Sequence, residues 1–275
     1  MLKTSIKTAS VLAAPLLAAL GLAILPRAAA AQPAPADLSL GYDARLYFIK
    51  VLDLQFQQHI GVRDFTAGAQ LRSYGVLAAF KRFDIRAQAS GRMTGEGPQP
   101  QAFDYVNHDG KRTRHVIVAW SPGDVAMTST PRFGDLGDPP ASLEQRLGAA
   151  DPLTQLMRAT VAQPGQPCQG EPRFFDGKQY YGLDFSGAHA EAPNDGERGL
   201  GVTSVVACSM RYVPLAGFKK PQPGKPRGGL NAPIRVAFGQ LGPRGPWVMA
   251  EIKADTPLGP AYIVLAHARI TPGQG

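Results

Sequence analysis

The stretch LSLGYDARLYF, residues 38–48, alternates apolar and polar side chains with a period of two. Leu38, Leu40, Tyr42, Ala44, Leu46 and Phe48 fall on one side, and Ser39, Gly41, Asp43, Arg45 and Tyr47 on the other. A strand with one face in a core and one in water has this pattern. The period returns in Tyr181, Leu183 and Phe185, and in Val202, Ser204, Val206, Cys208, Met210 and Tyr212. Ile234, Val236 and Phe238 begin another such run, and residues 113–120, 248–253 and 262–269 are further strand candidates. Asp109-Gly110, Asp176-Gly177 and Asp195-Gly196 stand between these runs, and Asp-Gly suits the positive φ angles of tight hairpin turns. With 31 Gly and 25 Pro the chain has little room for long helices. The span 68–86 fits a helical turn or a broken strand.

One helix is expected in DPLTQLMRATVAQPG, residues 151–165. Asp151 suits the N-cap, Pro152 the first turn, and Pro164-Gly165 the end. Leu153, Leu156, Met157 and Val161 then share one face. A sheet with one apolar face must curl or be covered. The expected fold is therefore mainly β, a curled antiparallel sheet in the form of a half-barrel or β-spiral, wrapped around one central amphipathic helix.

The chain begins with Lys3 and Lys7, a run of apolar residues, and small residues up to Ala31. This is the pattern of a secretory signal over residues 1–31, followed by a flexible leader at 32–37, a single β-rich domain at 38–270 and a flexible tail at 271–275. The apolar run is short for a bilayer, which takes about 20 residues. Removing residues 1–31 takes away Lys3, Lys7 and Arg27 and no acid. That leaves 26 of the 29 basic residues against 21 acidic ones, a balance of +5. The expected location is the periplasm. A mildly basic protein there favours anionic envelope surfaces, and neither an arginine-rich arm nor zinc-finger spacing speaks for nucleic acid.

Cys168 and Cys208 are the two cysteines. An oxidising compartment makes an intramolecular disulfide the default, with a reactive thiol as the alternative. Closing a loop of this size contributes roughly 4 kcal/mol on the chain-entropy estimate. If Pro193-Asn194-Asp195-Gly196 turns one hairpin, Cys208 does not fall opposite Cys168, and the segment before Phe174 must fold back to reach it.

The order of DPLTQLM, C-x-G…FDGKQYY and CSMRYVPLAGF resembles the family of exported proteobacterial proteins catalogued as domain of unknown function 3108. The resemblance spans about residues 41–270. It is carried by Asp151-Pro152-Leu153, by Phe175-Asp176-Gly177-Lys178, and by Cys208 with Gly217-Phe218. It implies a periplasmic location, no established activity, and a curled β architecture like the lipoprotein carriers and envelope-integrity β-spirals. A Cys168–Cys208 disulfide agrees with it. Lys178 and Gln179 stand where the family commonly has arginines.

Catalytic patterns are weak. G-x-S-x-G is absent, and His59, His108, His115, His189 and His267 make no metal-binding spacing. Asp135, Asp138 and Asp184 suggest no paired carboxylates, and the glycines of GERGLG read as a loop. The expectation is a non-enzymatic protein, without cofactor or metal, that maintains the cell envelope by binding an amphiphile or an envelope partner. Its candidate groove is Leu153, Leu156, Met157, Val161, Leu183, Phe185, Val206 and Met210. Its candidate contact with anionic surfaces is Lys219, Lys220, Lys225 and Arg227 in GFKKPQPGKPRGG. A hydrolase with a site assembled from distant residues and a purely structural interaction protein are the alternatives.

Overall fold

The computed structural model describes residues 34–110, 112–163, 166–220 and 232–273. The expected signal, and Lys225 and Arg227 of the basic loop, lie outside the described residues. The chain is mainly β, with thirteen strands among the described residues: β1 Ala36–Leu46, β2 Ile49–Ile60, β3 Asp64–Ser73, β4 Phe83–Thr94, β5 Gly97–Asp109, β6 Arg112–Ser121, β7 Asp124–Thr130, β8 Arg173–Phe175, β9 Tyr180–Glu191, β10 Val202–Ala216, β11 Ile234–Leu241, β12 Trp247–Thr256 and β13 Gly259–Pro272. They form one antiparallel sheet in the order β7-β6-β5-β4-β3-β2-β1-β13-β12-β11-β10-β9-β8. Among the described residues four helices intervene: α1 Gly75–Phe80, α2 Leu143–Leu147, α3 Pro152–Thr160 and α4 Asp195–Gly199.

The alternation of residues 38–44 holds, with Leu38, Leu40, Tyr42 and Ala44 buried. It stops at Leu46, because Tyr47 turns the chain with φ 54° and Phe48 points into solvent. Of the leader and tail expected at 32–37 and 271–275, residues 34–37 and 271–273 are described, and of these 36–37 and 271–272 lie in strands. Ala36 pairs with Pro272 and Asp37 with Thr271, so both ends enter the ladder and their backbone groups are satisfied there.

Asp109-Gly110 joins β5 to β6 and Asp176-Gly177 begins the turn from β8 to β9. Asp195-Gly196 does not make a hairpin turn; it opens α4. Asn194 accepts a hydrogen bond from the Glu197 N–H while the Glu197 carboxylate accepts one from the Asn194 N–H. This reciprocal cap favours a helical turn over a two-residue hairpin. Residues 68–86 contain the end of β3, α1 and the start of β4.

Helix α3 begins as expected. The Asp151 carboxylate accepts from the Leu153 and Thr154 N–H groups, both at 2.9 Å. The helix touches β3, β4 and β5 and also β8 and β12. Its apolar stripe is only part of what it buries. Thr154, Gln155 and Thr160 are buried too. The Thr160 hydroxyl donates to Gln58 Oε1 at 3.1 Å, Gln155 Nε2 donates to the Arg173 carbonyl at 2.6 Å, and Arg158 Nε donates to the Pro98 carbonyl at 2.8 Å. Buried polar groups keep such partners because an unmade hydrogen bond costs about 1–3 kcal/mol.

Two apolar clusters form. The larger joins Leu153 and Met157 to Leu38, Leu40, Tyr42, Phe65, Phe103, Val116 and Val118. The smaller holds Cys168, Cys208, Met210, Ile234, Val236, Phe238 and Trp247. Strand β10 serves both, with Val205 and Ala207 in the first and Cys208 and Met210 in the second, so both of its faces are buried. Val202 departs from the face predicted for it. The register slips between Val202 and Ser204, which carries Val202 into the larger cluster.

Candidate functional site

Strand register aligns the core-facing side chains of β1–β6 in rows across the sheet. One row runs Leu38, Gln58, Ala67, Ala89, Phe103 and Val118, and all six are buried. The Thr160–Gln58 bond brings α3 onto this row. The next row runs Leu40, Phe56, Ala69, Ala87, Tyr105 and Val116. Leu40 and Val116 are buried at its ends, while the four residues between are partly exposed. A third row runs Tyr42, Leu54, Leu71, Ile85 and Asn107, and here Leu71, Ile85 and Asn107 are partly exposed. The apolar face of β2–β5 therefore loses cover over these rows: Phe56, Ala69, Leu71, Ala87 and Tyr105 pack against the larger cluster but, with Ile85, stay partly exposed, and they line the candidate trough.

The polar residues of these rows, Gln58, Tyr105, Tyr42 and Asn107, are uncharged. Tyr42 Oη and Asn107 Oδ1, at the two ends of the third row, are buried and have no hydrogen-bond partner among the described residues. Burial pushes the Tyr42 hydroxyl far above its ordinary range. Burial, with the nearby Asp176 charge, pushes Tyr105 up to about 12. Both phenols stay protonated at neutral pH and offer O–H donors. Such a lining suits an alkyl chain with a polar group that can accept a hydrogen bond from a phenol.

The opposite face of the same strands is largely polar. A cavity of about 660 Å³ lies along these strands, and its lining includes Ser39, Gln57, Gln88 and Asp104 of that face together with Leu38, Gln58, Ala67 and Ala89 of the first row. Asp37 and His59 also line it and meet at 2.7 Å, and Asp104 meets His115 at 2.7 Å. All four side chains are between two-fifths and about half exposed.

The predicted groove residues do not form one wall. Leu153, Met157 and Val161 pack in or against the larger cluster, whereas Leu183, Phe185, Val206 and Met210 belong to the smaller one. Leu156 is only partly buried and joins neither cluster. The separation follows from β10 being buried on both faces, so that Val206 and Met210 look away from Leu153 and Met157. Ala159 is the α3 residue that packs against the smaller cluster. The trough residues Ala69, Leu71, Ile85 and Ala87 were not predicted as site residues, although FTAGAQLR and DIRAQAS alternate as strands do.

Cys168 and Cys208 form a disulfide with their Cα atoms 6.0 Å apart, and both are buried. The segment before Phe174 folds back to make it, at a point where the β9–β10 register skips Cys208. Lys219 and Lys220 are exposed after the end of β10. Lys178 bonds to Asp135 at 3.2 Å and lies over the Phe133 ring.

Two carboxyls are held inside the fold. Burial pushes Asp151 up, against the hydrogen bonds from Thr154 and Leu153 that favour its charged form. Asp176 keeps some exposed surface as a residue, but its carboxyl lies within the protein. Burial pushes it up against the Gln179 and Lys178 N–H groups that it accepts from at 2.7 and 2.9 Å.

No family model matches the chain, and no curated protein matches it. The resemblance to the domain of unknown function 3108 proteins therefore rests on its short motifs alone. Among solved structures, the chain is similar to the crystal structure of a beta-barrel-like protein of domain of unknown function DUF1849 from Brucella abortus. The TM-score is 0.48 with 13% sequence identity, over 88% of this chain and 100% of that one.

Proposed function

We propose that the protein binds an amphiphile, without catalysing a reaction, on the uncovered inner face of a half-barrel wrapped around α3. The observation that carries this reading is the graded burial of the aligned rows, from six buried residues beside the helix to the partly exposed Phe56, Ala69, Ala87 and Tyr105 one row further on. A filled core would keep those positions covered. A chain of methylenes gains about 0.8 kcal/mol for each CH₂ it buries on such a surface. The Tyr42 O–H can donate a hydrogen bond to a carboxyl, ester or amide oxygen of the ligand.

The proposal includes export to the periplasm and a role in maintaining the cell envelope, as the N-terminal pattern suggests. Lys219 and Lys220, with Lys225 and Arg227 further along the chain, would add a contact with anionic envelope surfaces. A hydrolase would draw on acid–base pairs such as Asp37–His59 and Asp104–His115, which are open to solvent on the other face. A structural interaction protein would leave the trough empty. Mass spectrometry of protein purified without denaturation, together with titration of the same protein with a fluorescent fatty acid, separates these readings. Bound acyl material or saturable, one-to-one probe binding is expected. Neither bound lipid nor probe binding would remove the amphiphile reading.

A further inference from the structure

At one end of the sheet, three neighbouring connections carry bulky apolar side chains into solvent. Phe48 in the β1–β2 turn is 87% exposed, Phe80 at the end of α1 is 86% exposed, and Leu258 in the β12–β13 turn is 74% exposed. Tyr47, Ile49 and Val76 beside them are exposed as well. Surface residues of this size occur singly in most proteins, so what matters here is that these are held together. The Tyr47 N–H donates to the Pro260 carbonyl at 2.8 Å, and the Tyr47 ring lies directly over Gly259. The first and third connections thus form one tip. The Tyr74 N–H donates to the Val51 carbonyl at 2.8 Å, and Lys50 Nζ sits 4.6 Å from the centre of the Tyr74 ring. That ties the start of α1 to the strand leaving the β1–β2 turn.

Helix α1 is itself out of place in water. Its six residues, GVLAAF, are all apolar, none is buried, and its N-cap Tyr74 makes no side-chain capping bond. A single uncapped turn has little stability of its own and gains from an apolar surface to lie on.

The charges around this tip favour an anionic partner. Lys50 pairs with Asp43 at 2.6 Å and Asp53 at 2.7 Å, Arg45 with Asp43 at 3.0 Å, Arg72 with Asp84 at 3.5 Å, and Lys81 with Asp109 at 3.5 Å. Arg82, two residues after Phe80, makes no ion pair among the described residues, nor do Lys219 and Lys220 at the end of β10, on the same side of the sheet. Asp255, at the end of β12, also makes no ion pair among the described residues. This end of the sheet therefore carries apolar points together with Arg82, Lys219 and Lys220, cations outside ion pairs among the described residues although Lys219 also acts on Asp135, the arrangement that an interfacial protein presents to anionic lipid.

We infer that Phe48, Phe80 and Leu258 are a membrane-docking tip, which inserts into the surface of an anionic bilayer while Arg82, Lys219 and Lys220 meet its headgroups. This site is distinct from the trough, and either can fail without the other. Flotation with phosphatidylcholine vesicles, with and without phosphatidylglycerol, tests it. The wild-type protein is expected to float with the phosphatidylglycerol vesicles. The combined Phe48→Ser, Phe80→Ser and Leu258→Ser variant should bind at least about tenfold more weakly, with an unchanged melting temperature because all three positions are exposed. Phe48→Ser alone should show a smaller loss in the same direction. Replacing Arg82, Lys219 and Lys220 by Gln should remove the preference for phosphatidylglycerol and the sensitivity to salt. In the absence of vesicles, the triple serine variant should take up a soluble fluorescent fatty acid as wild type does, which separates the tip from the trough. Failure of the wild type to float, or equal flotation of the triple serine variant, would overturn the inference.

Discussion

Gly177 lies against Val116, although β6, which carries Val116, and the β8–β9 turn, which carries Gly177, belong to opposite ends of the sheet order. A β-carbon on Gly177 would stand 2.5 Å from Val116 Cγ1 and 3.1 Å from Val118 Cγ2, and its φ is 94°. The contact shows how far the sheet turns on itself. Gly177→Ala should therefore destabilise on two grounds, a strained backbone at about 1–3 kcal/mol and overpacking at about 1–3 kcal/mol. Chemical denaturation would show a loss of this order, and an unchanged midpoint would mean that the two ends of the sheet do not meet there.

The Cys168–Cys208 bond spans a loop with a sequence separation of 40 and sits inside an apolar cluster. Thiol labelling of native, unreduced protein should find neither cysteine. Replacing both by alanine should lower stability by about 2–4 kcal/mol. Efficient labelling of either cysteine would restore the reactive-thiol reading.

Within α3, Met157 is fully buried and Leu156 is not. Met157→Ala should cost about 2–5 kcal/mol, and Leu156→Ala clearly less. Equal losses would show that the helix is rotated relative to the sheet.

How much of this was legible beforehand depends on the segment. The alternation of residues 38–44 and the Asp-Gly turns at 109 and 176 identify a mainly β chain, because the two-residue period is a direct consequence of the pleat. The cap of α3 is equally local, since Asp151 reaches N–H groups two and three residues on. The face of Val202 was not legible, because a one-residue slip in pairing is set by the neighbouring strand rather than by the sequence around it. The Asp195-Gly196 helix could have been found from Asn194 and Glu197, which have capping-box spacing. The trough was harder. Its strands alternate visibly, but whether α3 covers one row or three depends on packing between distant segments, and no local pattern records that.

Asp151 and Asp176 predict an unusual pH dependence. Burial raises both carboxyls above the ordinary value of 3.8, against their hydrogen bonds. The folded protein then holds protons that the unfolded chain releases. Their contribution to stability is full below the ordinary carboxylate range and is lost as the pH rises through the raised values. Asp43 and Asp84 work the other way. Each is partly raised by burial, but Lys50 and Arg45, and Gln70 and Arg86, lower them on balance, so their contribution is lost as the pH falls below 3.8. Asp176→Asn keeps an oxygen to accept the Lys178 and Gln179 N–H groups and removes the buried charge. It should flatten the decline of stability as the pH rises above the ordinary carboxylate value of 3.8, and should be relatively most stabilising at the upper end of that decline. A variant that declines as steeply as wild type would contradict the buried charge at Asp176.

The amphiphile reading is tested most directly by filling the trough. Ala69 and Ala87 pair across β3 and β4, face the core, and are partly exposed. Replacing both by leucine puts six additional carbons where the acyl chain is proposed to lie. Titration of wild type and this variant with a fluorescent fatty acid, alongside thermal unfolding of each, is the measurement. Saturable binding to wild type is expected, with at least about tenfold weaker binding to the variant and a melting temperature equal to or above that of wild type, because the added side chains cover apolar surface. Equal affinity of the two proteins for the probe would contradict amphiphile binding in the trough.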